Sequence, residues 1–77
     1  MVKAFVLIVA NPGATRRIAT TLKALELVVD VHEVMGPYDI VLEVEAPQLT
    51  DIPVLLSEQI RTIEGIQSTT SLVAFPV

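Results

Sequence analysis

No cysteine occurs anywhere in the chain. That single absence excludes a disulfide framework, a thiolate zinc site, a Cys nucleophile and an iron–sulfur cluster. One histidine is present, His32, which cannot build a His-rich metal site alone. Tryptophan is absent and aromatic residues make up 4%. Positive charge is scarce. Lys3, Arg16, Arg17, Lys23 and Arg61 are the five cations against nine acids, giving a net charge of −4. A duplex binder needs several Lys or Arg on one face to displace counterions. The composition therefore argues against direct nucleic-acid binding. Long hydrophobic runs are also missing: the longest, Ala4 to Ala10, is far below the ~20 residues of a membrane span. Met1-Val2-Lys3 leads straight into patterned sequence, with no secretory leader pattern. The expectation is a cytoplasmic protein without a membrane partner.

Aliphatic side chains are abundant instead. Apolar residues make up 52% of 77, a length that fits one domain over residues 1–77. Surface scaling gives a folded surface of roughly 4,600 Å². Burial then contributes about 110 kcal/mol, against about 115 kcal/mol for ordering the chain. The two cancel, and neither a disulfide nor a metal tips the balance. The apolar excess is consistent with burial against a second copy of the chain.

Val2 to Ala10 reads as a strand, aliphatic on both parities and so expected to be covered on both faces. Asn11-Pro12-Gly13 breaks it. Ile18, Leu22 and Leu25 then share a helical stripe, predicting a helix over about 14–25. Val28 to Met35 predicts a strand with Val29 and Val31 on one face and Asp30 and His32 on the other. Gly36-Pro37 marks a turn, and Tyr38 to Glu45 alternates as a second strand of a hairpin. Thr50 is placed as an N-cap, with Asp51 beside it, for a helix over about 50–63. Gly65 follows as its C-terminal glycine, and Ile66 to Phe75 is the last strand. The order β-α-β-β-α-β with right-handed crossovers predicts an α+β, ferredoxin-like fold. It has a four-stranded antiparallel sheet of order 4-1-3-2, both helices on one face. The helix-free face points to a dimer with its sheets face to face.

Few residues carry chemistry. His32 lacks a nucleophile partner at recognisable spacing. Glu43 and Glu45 share a strand face, as an acid/base or cation-binding pair or as a solvated rim. Arg16 and Arg17, near a helix start, read as an anion site or as surface. Ser68-Thr69-Thr70-Ser71 interrupts an apolar strand. It is either an edge-strand feature or, through Gln67, Thr69 and Ser71 on one face, a polar wall for a small ligand. Gly36, Pro37, Tyr38 and Asp39 are either turn chemistry or a rim able to hold an amino acid's two charged ends.

These segments together carry a resemblance. Val31…Val34-Met35-Gly36-Pro37-Tyr38-Asp39 after a strand and helix, then Ile60…Ile63-Glu64-Gly65-Ile66, then Thr69-Thr70-Ser71, resemble the C-terminal effector domain of the Lrp/AsnC family. That domain is also called RAM, for regulation of amino acid metabolism, and the likeness covers residues 2–75. It implies a dimer of ferredoxin-like units, further assembled into rings, with amino-acid effectors bound between subunits. Carried over by position, the ligand-binding residues are Gly36, Tyr38, Asp39, Thr69, Ser71 and Gln67. No cofactor, metal or catalytic residue is implied. Two departures stand out. No helix-turn-helix domain is present, so the expectation is a stand-alone effector domain that could assemble with a full-length regulator. Pro37 occupies a slot more often polar. The competing expectation is an enzyme, of the cofactor-free monooxygenase or isomerase type found among small ferredoxin-like dimers. It would rest on His32, Tyr38 and Asp39 around a deep apolar pocket in each subunit.

Overall fold

The computed structural model describes all 77 residues. The first strand, β1, spans Val2–Ala10 as expected. Its even positions Ala4, Val6, Ile8 and Ala10 are buried. Phe5, Leu7 and Val9 on the other parity are only half-buried within one chain. The expectation of two covered faces thus holds for one, because both helices pack on the same side. Helix α1 is Thr15–Lys23, shorter at both ends than the periodicity predicts. The Ala24 and Leu25 amides bond to carbonyls three residues back, tightening the final turn and closing the helix. Ile18, Ala19 and Leu22 face the core.

Strand β2, Val28–Glu33, and strand β3, Ile40–Ala46, form the predicted hairpin. Gly36 sits at φ +137° in the turn, and the Val34 N–H donates to the Asp39 carbonyl at 2.9 Å. The face assignment of β2 is corrected. Val28 pairs with Val44 and Asp30 with Glu43, so Val29 is an extra residue in a bulge and is exposed. Val28, not Val29, joins Val31 on the core side. One bulged residue shifts the parity of everything before it.

The second helix also departs from expectation. It is α-helical only over Asp51–Leu55, α2, and widens into a π-helical turn over Leu56–Ile60. The Arg61 N–H reaches back five residues to the Leu56 carbonyl at 2.8 Å. Thr50 makes no side-chain cap: its own backbone is helical (φ −66°, ψ −14°), which turns the hydroxyl away from the first-turn amides. The Asp51 carboxylate instead accepts from the Gln48 N–H at 3.0 Å. Strand β4 is Ile66–Ala74.

The sheet runs β2-β3-β1-β4, antiparallel throughout, the predicted ferredoxin-like arrangement. Fifteen residues from β1, β3 and the two helical segments form one apolar core. The opposite face is uncovered. It carries a half-buried stripe of Phe5, Leu7, Val9 and Val41, with exposed Leu72 alongside. Charged groups lie beside the stripe: Lys3 is 3.6 Å from Glu43, and His32 Nε2 lies 3.0 Å from Asp30. No helix is long and apolar enough to cross a membrane.

Candidate functional site

Pairing across β1 decides where the candidate residues meet. Ile8 lies between Ile40 of β3 and Thr69 of β4. The hairpin turn that carries Gly36, Tyr38 and Asp39 therefore lies at the same end of the sheet as the start of β4. Asp39 is held on three sides: its N–H donates to the Ile8 carbonyl at 2.8 Å and its carbonyl accepts from Val34. Its carboxylate Oδ2 accepts from the Ala10 N–H at 2.8 Å, leaving the other oxygen without a protein donor. Tyr38 is half-buried beside it, and Gly36 is exposed with open space around it.

On β4, Ala10 pairs with Ile66 and Val9 with Ser68, so Gln67 is the extra residue of a second bulge. Its amide donates to Asn11 Oδ1 at 2.6 Å, tying the bulge to the β1–α1 turn. Thr69 and Ser71 pair with the core-facing Ile8 and Val6, which places them on the helix side of the sheet. The bulge takes Gln67 out of strict alternation, and the expected polar wall divides, with Gln67 and Thr69 at one hollow and Ser71 at another.

The six candidates do not share a cavity within one chain. Gly36, Tyr38 and Asp39 line none. Gln67 and Thr69 line a hollow of about 200 Å³ with Arg61, whose Nε donates to the Thr69 hydroxyl at 3.3 Å. Ser71 lines a larger cleft of about 490 Å³ between α2 and β4. Leu49, Ile52, Leu56 and Val73 form the apolar wall of that cleft. Thr50, Ser57, Ser71 and Arg61 supply its polar groups. Sequence reading passed over Arg61, Ser57 and this use of Thr50. No local signal marked them: Pro53 lies in the first turn of α2, where amides lack intrahelical partners anyway, and the wide turn has no period of its own in the sequence.

The other candidates have partners. Arg16 Nε lies 2.8 Å from Glu33 on an exposed surface, a pair worth little. Arg17 donates to the Glu64 carbonyl at 2.9 Å and so ties α1 to the loop before β4. Glu43 and Glu45 share the open face as read. His32, Tyr38 and Asp39, on which a catalytic reading would rest, line no common cavity.

Comparison with known proteins gives a consistent result. Residues 3–76 match the family model described as "Lrp/AsnC ligand binding domain". An uncharacterised HTH-type transcriptional regulator of Pyrococcus furiosus is 35% identical over 75 residues, covering 94% of this chain and 50% of the regulator. The chain thus spans about half the length of the curated relatives it matches. A Thermus thermophilus protein of similar size superposes with a TM-score of 0.95 at 30% identity, covering 100% of this chain and 96% of that one. Escherichia coli AsnC superposes at 0.91 with 25% identity, over 99% of this chain and 52% of its own. A Neisseria meningitidis transcriptional regulator solved in complex with L-Met has the same fold, with a TM-score of 0.88 at 14% identity. Coverage there is 97% of this chain and 50% of that one.

Proposed function

The chain belongs to the Lrp/AsnC ligand-binding domain family, and from that premise we propose that it is a non-catalytic effector module that binds a free amino acid between subunits. The module oligomerises and passes ligand occupancy to transcriptional regulators of the same family in the cytoplasm. Its partners are further copies of itself, as a dimer assembled into a ring, and a full-length regulator joined through the shared interface. It makes no direct contact with nucleic acid.

The supporting observation is that most of the candidate residues lie at one end of the sheet without sharing a cavity in one chain. Gly36, Tyr38, Asp39, Gln67 and Thr69 collect there, yet only Gln67 and Thr69 line a hollow and the hairpin residues line none. An amino acid presents an ammonium and a carboxylate close together. The free oxygen of Asp39 suits the ammonium; amides near Gly36 and the Thr69 and Ser71 hydroxyls suit the carboxylate. Neither set closes over a ligand without a second subunit. The Neisseria regulator solved with L-Met agrees with an amino-acid effector.

Calorimetric titration of the twenty amino acids tests the reading. Asp39→Asn keeps an oxygen for the Ala10 N–H and removes the charge facing the ammonium. It should cost about 2–5 kcal/mol of binding. Silence from all twenty leaves an assembly role alone, and equal affinity in the variant removes Asp39 from the site.

A further inference from the structure

We propose that the cleft between α2 and β4 is a second binding site, complete within one subunit, for a small apolar monocarboxylate that lacks an ammonium group. Arg61 supplies the counter-charge.

The cleft has the size and make-up of a small-molecule site. Its volume of about 490 Å³ falls within the ~300–1,000 Å³ of such pockets, which are mainly apolar with a few polar groups that fix orientation. Leu49 at its mouth is 52% exposed, an apolar surface with nothing over it. Arg61 is exposed at the cleft and has no acidic partner. Lys3 and Arg16 have acidic partners, whereas Arg61 meets only the neutral Thr69 hydroxyl. A guanidinium against an apolar wall suits a carboxylate, whose two oxygens match its fork of donors. The Ser57 and Ser71 hydroxyls add further donors at the same cleft.

The cleft offers hydroxyl acceptors but no carboxylate to neutralise an ammonium. No Asp or Glu lines it, and the nearby Asp51 carboxylate is turned back onto the Gln48 N–H. A zwitterion would bring its ammonium beside Arg61 without a counter-ion. The chemistry therefore selects an acid without the amine, such as a branched 2-oxo acid, over the matching amino acid. The backbone points the same way. Leu56, Ser57 and Arg61 reach the cleft from the π-helical turn and its C-cap, an element that recurs at functional sites. This site goes beyond the amino-acid reading above; it shares Ser71 with it and adjoins it through the Arg61–Thr69 hydrogen bond.

The test is calorimetry with 4-methyl-2-oxopentanoate and L-leucine on wild type, Arg61→Gln, Leu49→Glu and Asp39→Asn, with amide shifts mapped by NMR. The oxo acid should bind wild type and move the Ser57, Arg61 and Ser71 amides. Affinity should fall at least tenfold in Arg61→Gln, and again in Leu49→Glu, which places a like charge at the mouth. It should be unchanged in Asp39→Asn. Absence of oxo-acid binding at millimolar concentration, equal affinity in Arg61→Gln, or shifts confined to the sheet end would overturn the site. L-leucine bound with the same Arg61 dependence would overturn the ligand class. Loss of amino-acid binding in Asp39→Asn bears on the other site alone.

Discussion

The Asp39 carboxylate accepts the Ala10 N–H across 29 positions of sequence, at 2.8 Å, where the β1–β3 ladder has run out. A turn residue thus finishes the pairing of a strand it does not belong to. Asp39→Ala should destabilise the fold by about 1.5–3 kcal/mol, the range for a hydrogen bond to a charged group. Asp39→Asn, retaining an oxygen, should lose clearly less. Urea unfolding of the two variants checks the order, and equal losses would place the effect in charge rather than in the hydrogen bond.

Gly65 is the tightest glycine. It sits at φ +102°, and a Cβ there would meet Arg17 Nη2 at 3.0 Å and the Ala14 and Ile18 side chains at 3.2 Å. Its carbonyl also accepts the Asn11 N–H at 2.8 Å, so the segment cannot move away freely. Gly65→Ala should cost about 1–3 kcal/mol from backbone strain alone. Gly13→Ala, also at positive φ but in open space, should cost less. Thermal melts of both compare crowding with conformation.

The β2 bulge makes a sharp contrast. Val29→Ala should change stability by less than about 0.5 kcal/mol, because the bulge turns Val29 to solvent. Leu42→Ala, at a fully buried position of a central strand, should cost about 2–5 kcal/mol. A large loss at Val29 would restore simple alternation in β2 and remove the bulge.

Phe5→Glu and Leu7→Glu place charge in the middle of the uncovered sheet stripe, on positions that contribute little to the core of one chain. Light scattering of the wild type at micromolar concentration should give a multiple of 8.3 kDa. Either variant should return the mass of a single chain with its circular dichroism retained. An unchanged mass would move the interface elsewhere.

Much of the fold was legible because its signals are local. Both bounds of β1, the Gly36 turn and the element order follow from alternation, turn residues and chain order. The two bulges were not, because each is defined by which residue of a distant strand lies opposite. Alternation in β2 reads equally well with Val28 or Val29 facing inward; only the pairing to Val44 decides. Asp39 was visible as a turn acceptor, but its donor, Ala10, is brought to it by the sheet. Arg61 looked like one more surface cation. Its meaning depends on Thr69, delivered by β4, and on a π-turn that no helical period announces.

The two bulges stand at diagonally opposite corners: Val29 is the second residue of one outer strand, near the Ala46 end, and Gln67 the second of the other, near Ala10. Each outer strand therefore starts with a break in its ladder and extra twist. A flat, regular rim invites another strand to add, and then another, without limit. A rim distorted at opposing corners offers a poorer template to an incoming strand. For a chain this rich in aliphatic residues, that favours association through the broad sheet surface, where the number of copies is finite. The same two residues that spoil the alternation thus make each outer strand a poorer template for fibre growth.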